Sequence, residues 1–194
     1  MKIVPLAEAD LDCTARLTLG RLNVLAYPEF YNGLGLEGEA LDRLSADMFD
    51  VSEGELSDTI VAISDEDTLC GYLSALPSDD FRAAASRTAF AVLKGVARDQ
   101  RKPVMAHMQA IGAGQDALPA NTHYLARIAV SPDWQGKGIA AELMDIFEAQ
   151  GGGCDHVLHV AADNARAIRF YEKRGYETES GSDSTLLMRR RASS

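Results

Sequence analysis

One stretch governs what this chain can fold into: Arg127–Glu142, RIAVSPDWQGKGIAAE. A run of β-formers, THYLARIAV at Thr122–Val130, leads into a loop with two glycines around Lys137. An amphipathic segment leads out, with Ile139, Ala140, Leu143, Ile146 and Phe147 on one face. Strand, glycine loop and helix in that order place backbone N–H groups at a helix N-terminus, where peptide dipoles leave about half a positive charge. Gly136 and Gly138 let an anion approach where a Cβ would block it. The N–H groups from Gln135 to Ala140 are therefore expected to converge on a diphosphate. Gly138 follows Lys137, so no hydroxyl is placed to hold Mg²⁺, and a nucleoside-triphosphate loop is excluded. The run GLGLEG at 33–38 has dinucleotide-loop spacing but follows a helix end and a proline turn rather than a strand. It reads as a flexible loop, a candidate lid on the substrate side.

The rest of the chain supplies a sheet for that loop. Residues 2–4 read as a short strand, and Asp10 to about Ala26 as a helix that Tyr27-Pro28 ends. Leu41, Leu44 and Met48 mark a second helix. Thr59–Ile63 and Leu69–Leu76 form an expected antiparallel hairpin. Phe81–Ala97 is helical by pattern, Pro103–Met108 is read as a short strand, and Thr122–Val130 is a strand. Gly136–Gln150 is a helix that the glycines at 151–153 stop. His156–Ala161 is a strand, Asp163 or Asn164 caps a helix that Gly175 ends, and residues 176–179 and 184–190 close the chain as a hairpin. The fold class is therefore α/β, with a mixed, mostly antiparallel central sheet, helices on both faces and a helical insertion around 79–105. Residues 1–190 are expected to form one domain, with 191–194 a frayed tail.

Composition excludes several partners. Lys+Arg is 19 against 29 Asp+Glu, a net charge of −10, which argues against nucleic acid. No apolar run is long enough for a membrane span. Cys13, Cys70 and Cys154 are widely spaced and odd in number, so they read as free thiols, and a cytoplasmic location is expected. No metal is expected, because His156 and His159 point to opposite faces of a strand. A homodimer is left open.

The stretch V130-S-P-D-W-Q-G-K-G-I-A140, followed by D163-N-A-R-A-I-R-F-Y-E-K-R-G-Y176, resembles the Gcn5-related N-acetyltransferase (GNAT) family. One signature is carried by Gln135, Gly138 and Ala140, the second by Asn164, Ala167, Tyr171, Gly175 and Tyr176. The resemblance covers about residues 122–178, and residues 79–121 exceed what a minimal member needs. It implies the acyl-CoA N-acyltransferase fold and acetyl-CoA as co-substrate, with transfer of acetyl to a primary amine on a small molecule or peptide. It implies that Gln135, Gly136, Lys137, Gly138, Ile139 and Ala140 hold the pyrophosphate. The backbone of Ile128, Ala129 and Val130 would pair with the pantetheine arm. Val130-Ser131-Pro132 would lie where this strand splays from the next, and Asn164 would bond the arm near its reacting end. Tyr171 would protonate or stabilise the leaving thiolate, although its place on an amphipathic helix is also explained by packing.

The group that deprotonates the acceptor is less clear from the sequence. Relatives place Glu or His six or four residues before the valine, where this chain has Tyr124 and Ala126. His123 should face the other way. Tyr124, a water chain, Glu29 or Asp79–Asp80 remain as candidates. The absence of a strand carboxylate keeps open a catalytically idle acyl-CoA-binding module.

Overall fold

The computed structural model describes residues 1–192. Seven strands form one sheet in the order β1-β2-β3-β4-β5-β7-β6. They are β1 (Lys2–Pro5), β2 (Thr59–Ile63), β3 (Leu69–Pro77), β4 (His123–Val130), β5 (His156–Ala161), β6 (Glu177–Gly181) and β7 (Thr185–Arg190). Only β4 and β5 pair in parallel; the other neighbours are antiparallel, among them the expected β2–β3 hairpin.

Helices cover both faces. On one lie α1 (Cys13–Ala26), α2 (Pro28–Asn32), α3 (Gly38–Asp47), α4 (Phe81–Gly95) and α5 (Arg101–Ala113). Leu19, Leu22, Leu44, Val92 and Val104 from these helices pack on Val61, Ile63 and Tyr72 of the sheet. On the other lie α6 (Ile139–Gln150) and α7 (Ala165–Glu172). There Leu143, Phe147 and Tyr171 meet Leu73, Leu125, Leu158 and Met188. β3 is buried along nearly its whole length because alternate residues feed the two cores. Among the described residues no helix is long and apolar enough to cross a membrane.

Three expectations are corrected here. The strand expected at Pro103–Met108 is part of helix α5, and the insertion runs to Ala113 rather than ending near 105. Pro103 sits in the first helical turn, where a missing N–H breaks no bond. Val104, His107, Met108 and Ile111 are the positions of this segment that turn inward, a helical spacing a six-residue window cannot reveal. The loop at 33–38 is no free lid: Leu34 is fully buried, and a Cβ on Gly33 would stand 2.2 Å from the His107 ring. At the C-terminus, the Ala192 N–H donates to Asp155 Oδ1 at 2.8 Å, so the tail is held that far. Ser193 and Ser194, expected to fray, lie outside the described residues.

α1 delivers its C-terminus to the centre of the sheet, and two devices fix it there. A Cβ on Gly20 would come within 2.0 Å of the Asp42 carbonyl oxygen, so α1 and α3 cross at backbone contact. Three residues later Asn23, 0% exposed, knots four elements. Its amide donates to Tyr31 Oη at 2.6 Å and Ser45 Oγ at 3.1 Å, and its carbonyl accepts from Tyr72 Oη at 2.8 Å. Asn23→Ala would leave three hydroxyls buried and under-bonded, each costing about 1–3 kcal/mol before relaxation. We expect a loss of about 3 kcal/mol and a fall in Tm of roughly 6–12 °C, read by urea and thermal unfolding.

Candidate active site

The site begins where the sheet comes apart. β4 pairs with β3 from His123 to Val130, but with β5 only from His123 to Leu125. Ser74 of β3 faces Arg127 and Ala75 faces Leu125, so Ala126 is an extra residue, a β-bulge. From Ala126 onward β4 and β5 diverge. The gap between them, extended by the glycine loop, is a groove of about 1050 Å³. The separation therefore opens several residues before Val130–Pro132, where it was expected.

At one end lies the glycine loop. Gly136 (φ 77°) and Gly138 (φ 89°) occupy the left-handed region that favours glycine. Gly138 caps α6, and its carbonyl accepts from the Ala141 and Glu142 N–H groups. Among the described residues, no partner engages the N–H groups from Gly136 to Ala140, so five donors face a dipole-positive helix end. The Gln135 N–H is not among them, because it bonds to the Pro132 carbonyl at 3.3 Å. Its side chain instead braces the loop, donating to the Val130 carbonyl at 3.3 Å and accepting from Arg166 at 2.8 Å. Lys137 stands outside the groove wall, its ammonium 4.1 Å over the Trp134 ring. Arg166, which the sequence reading did not single out, lines the groove and brings the cation.

The open edge of β4 is the middle of the groove. Side chains of this chain hold the carbonyls at either end of it: Arg127 donates to Ala126 at 2.6 Å, and Gln135 holds Val130. Ile128, between them in the alternation, presents its backbone to the gap. Asn164 caps α7 by accepting the Ala167 N–H at 3.1 Å. Its Oδ1 takes that bond, and the residue lines the same groove.

At the far end the groove is lined by Tyr124, Arg127, His159 and Tyr171, with Tyr27, Glu29 and Gln115 opposite. Tyr124 Oη lies 3.3 Å from His159 Nδ1, and His159 Nε2 lies 3.1 Å from the Asp116 carbonyl oxygen. A carbonyl can only accept, so Nε2 carries the proton and Nδ1 is left bare to accept the Tyr124 O–H. Burial lowers the pKa of His159, with the Arg127 charge adding to it against the pull of Asp116, so the ring is neutral at pH 7. Burial raises the pKa of Tyr124, and it raises that of Tyr171 too. Both phenols keep their protons.

Arg127 packs 4.3 Å from the Tyr27 ring and pairs with Glu55 at 3.4 Å. Burial works against its charge, but Glu55 and the tyrosines around it leave the guanidinium more firmly protonated than usual. Burial raises the Glu55 carboxyl, and Arg127 pulls it back. The bulge makes this pairing available by turning Arg127 to the same face as Tyr124 and Ala126.

The structure thus gathers Tyr124, Ile128, Ala129, Val130, Gln135, Gly136, Gly138, Ile139, Ala140, Asn164 and Tyr171 on one groove and leaves Lys137 beside it. Of the candidate bases, Glu29 lines the groove; Asp79 instead lies at a separate cleft, where its carboxylate accepts the Asn121 N–H. His123 stacks on Phe147 at 5.0 Å, on the opposite face as alternation requires. Sequence reasoning missed Tyr27, Gln115, Arg127, Glu55 and the use of His159. Only His159 left a signal, its phase opposite to His156.

The sequence model of the acetyltransferase (GNAT) family matches residues 25–176. No curated protein sequence matches the chain. Among solved structures, an N-acetyltransferase from Staphylococcus aureus Mu50 superposes with a TM-score of 0.71 at 11% identity, covering 97% of this chain and 100% of that one. The PaiA N-acetyltransferase from Thermoplasma acidophilum in complex with coenzyme A gives 0.51 at 16%, covering 98% and 99%. The ribosomal-protein-S18-alanine N-acetyltransferase from Escherichia coli gives 0.52 at 16%, covering 100% and 94%. At such identities the likeness is one of fold, but the sequence match runs through the strand, the loop and both signature helices. The chain belongs to the acetyltransferase (GNAT) family.

Proposed function

We propose that this protein transfers an acetyl group from acetyl-CoA directly to a primary amine within a ternary complex, with residues 1–190 acting as one domain. The observation that carries the reading is the hydrogen-bonded Tyr124–His159 pair at the head of an open strand edge whose other end is a phosphate cradle. The donors from Gly136 to Ala140, with Arg166 beside them, suit a diphosphate. The exposed backbone of Ile128 and the side-chain amide of Asn164 suit the amide-bearing arm. When bound, acetyl-CoA supplies an activated thioester carbonyl and a thiol leaving group.

The remaining chemistry falls to the chain. An amine reaches the site as ammonium and must lose a proton to become a nucleophile. Tyr124 Oη takes that proton as its own passes to His159 Nδ1, and the imidazolium formed rests its Nε2–H on the Asp116 carbonyl. A neutral ring with a bare Nδ1 is what this relay needs. Tyr171 sits in the apolar core that backs the groove. A thiol has a pKa near about 8.5 and the buried phenol lies well above it, so Tyr171 holds the departing sulfur by hydrogen bond and keeps its own proton, while the second proton of the amine nitrogen passes to that sulfur as the amide forms.

Calorimetry should show binding of acetyl-CoA and CoA; absence of both would end this reading. Tyr171→Phe should lower kcat about 100-fold with unchanged acetyl-CoA affinity. A module that only binds would show no turnover to lose. His159 is depressed by burial, so kcat should hold at neutral pH and fall as pH drops through a value below about 6.5. His159→Gln should lower kcat by a further two orders of magnitude or so and abolish that acid limb. An unchanged limb in the variant would assign it to another group.

A further inference from the structure

The insertion that follows β3 ends at the mouth of this groove. Beyond α5, residues 114–116 cross from the α1–α2 junction to the β6–β7 hairpin. At one end the Gln115 amide donates to Tyr27 Oη at 2.8 Å. At the other, Ser180 Oγ donates to Asp116 Oδ2 at 2.6 Å, and Ser182 Oγ donates to the Gly114 carbonyl at 3.5 Å. Midway, the Asp116 carbonyl accepts from His159 Nε2. α5 is itself tied down, with His107 Nε2 3.0 Å from both the Glu29 and Phe30 carbonyl oxygens. The segment is a strap over the end of the groove where Tyr124, His159, Tyr27 and Glu29 meet.

We infer that this strap makes the protein selective for a small primary amine and excludes a polypeptide acceptor. The inference rests on the acetyltransferase reading. A peptide held in extended form advances about 3.3 Å per residue and needs a clear run beyond its reacting nitrogen. Residues 114–116 bridge the α1–α2 junction and the β6–β7 hairpin, so on that side they close the end of the groove that an extended acceptor would need open. A small amine needs only the space beneath. Among the described residues Glu29 has no cation partner, while Arg127 is already balanced by Glu55. The Glu29 carboxylate therefore stands at this end without a counter-charge and can draw an ammonium.

The strap is also joined to the relay. Its Asp116 carbonyl decides which nitrogen of His159 carries the proton, and so whether Nδ1 can accept from Tyr124. An acceptor that holds the strap away loses the base along with the enclosure. Gln115, Asp116 and Ser180 act as positioning residues: they exclude long acceptors and fix the imidazole of His159.

Gln115→Ala with Ser180→Ala unties both ends. Wild type and variant would be assayed with acetyl-CoA against 1,4-diaminobutane, spermidine and 2-phenylethylamine, and against a hexapeptide with a free N-terminus and one lysine. The wild type should leave the hexapeptide unmodified. The variant should acetylate it at a rate at least about 10-fold above the wild-type background, and its kcat/KM for small amines should fall. The ¹⁵N spectrum of His159 should show the single Nε2–H tautomer in the wild type and a mixture in the variant. Ser180→Ala alone, at a residue off the groove wall, should show both changes in smaller degree and serves if the double variant does not fold. Hexapeptide turnover by the wild type comparable with any small amine would overturn the inference, as would a variant with unchanged peptide rate and tautomer. Failure of acetyl-CoA to bind either protein would instead remove the underlying reading, and the inference with it.

Discussion

Everything at this site depends on β4 losing its neighbour after Leu125. A strand edge inside a protein is normally paired, because each buried backbone group left unbonded costs about 1–3 kcal/mol. Here the gap is held open by what packs on the sheet. α6 and α7 fill one face, the α1 side fills the other, and the bulge at Ala126 turns β4 away from β5. The chain itself satisfies the carbonyls of Ala126 and Val130 with the side chains of Arg127 and Gln135. The backbone between them is left as a template for an extended, amide-bearing ligand, the same physics that lets a peptide add to a sheet edge.

The bulge has a second consequence, in charge. One extra residue reverses the phase of β4, so Arg127 joins Tyr124 instead of facing α6. A guanidinium in that position would be costly alone. Glu55 and the Tyr27 ring offset it, and Tyr31, whose pKa burial pushes up to about 12, stays neutral beside it. Burial is the main cause that lowers the proton affinity of His159, and the positive end of this pair adds to it, so the imidazole is neutral at pH 7. A register change in one strand thus reaches the protonation state of a group on the next.

What the sequence made legible was local. The strand–loop–helix at Arg127–Glu142 and the Asn164–Tyr171 segment are each contiguous in sequence, and residues of both line the groove. The sheet was legible too, because alternation and turn residues mark strands directly. Two things were not. Helix α5 carries a proline in its first turn and buries only Val104 fully, so its short apolar run imitates a strand. The bulge leaves no mark in the letters LARIAV, since any residue can occupy it. Counting back from Val130 in strict alternation therefore stopped at Tyr124 and Ala126 and passed over Arg127.

The unread part of the site shares one property: each member depends on a contact across long sequence separation. His159 holds a single tautomer because a carbonyl at residue 116 meets one ring nitrogen and a phenol at 124 meets the other. Glu55 matters only because the loop before β2 lies beside β4. Neither pairing is encoded by spacing, so neither has a motif. The signature residues line one end of the groove and can be fixed by a short word in the sequence. The groups at the other end of the groove come from α1, the insertion, β4 and β5 together, and their arrangement resides in how those elements close over one another.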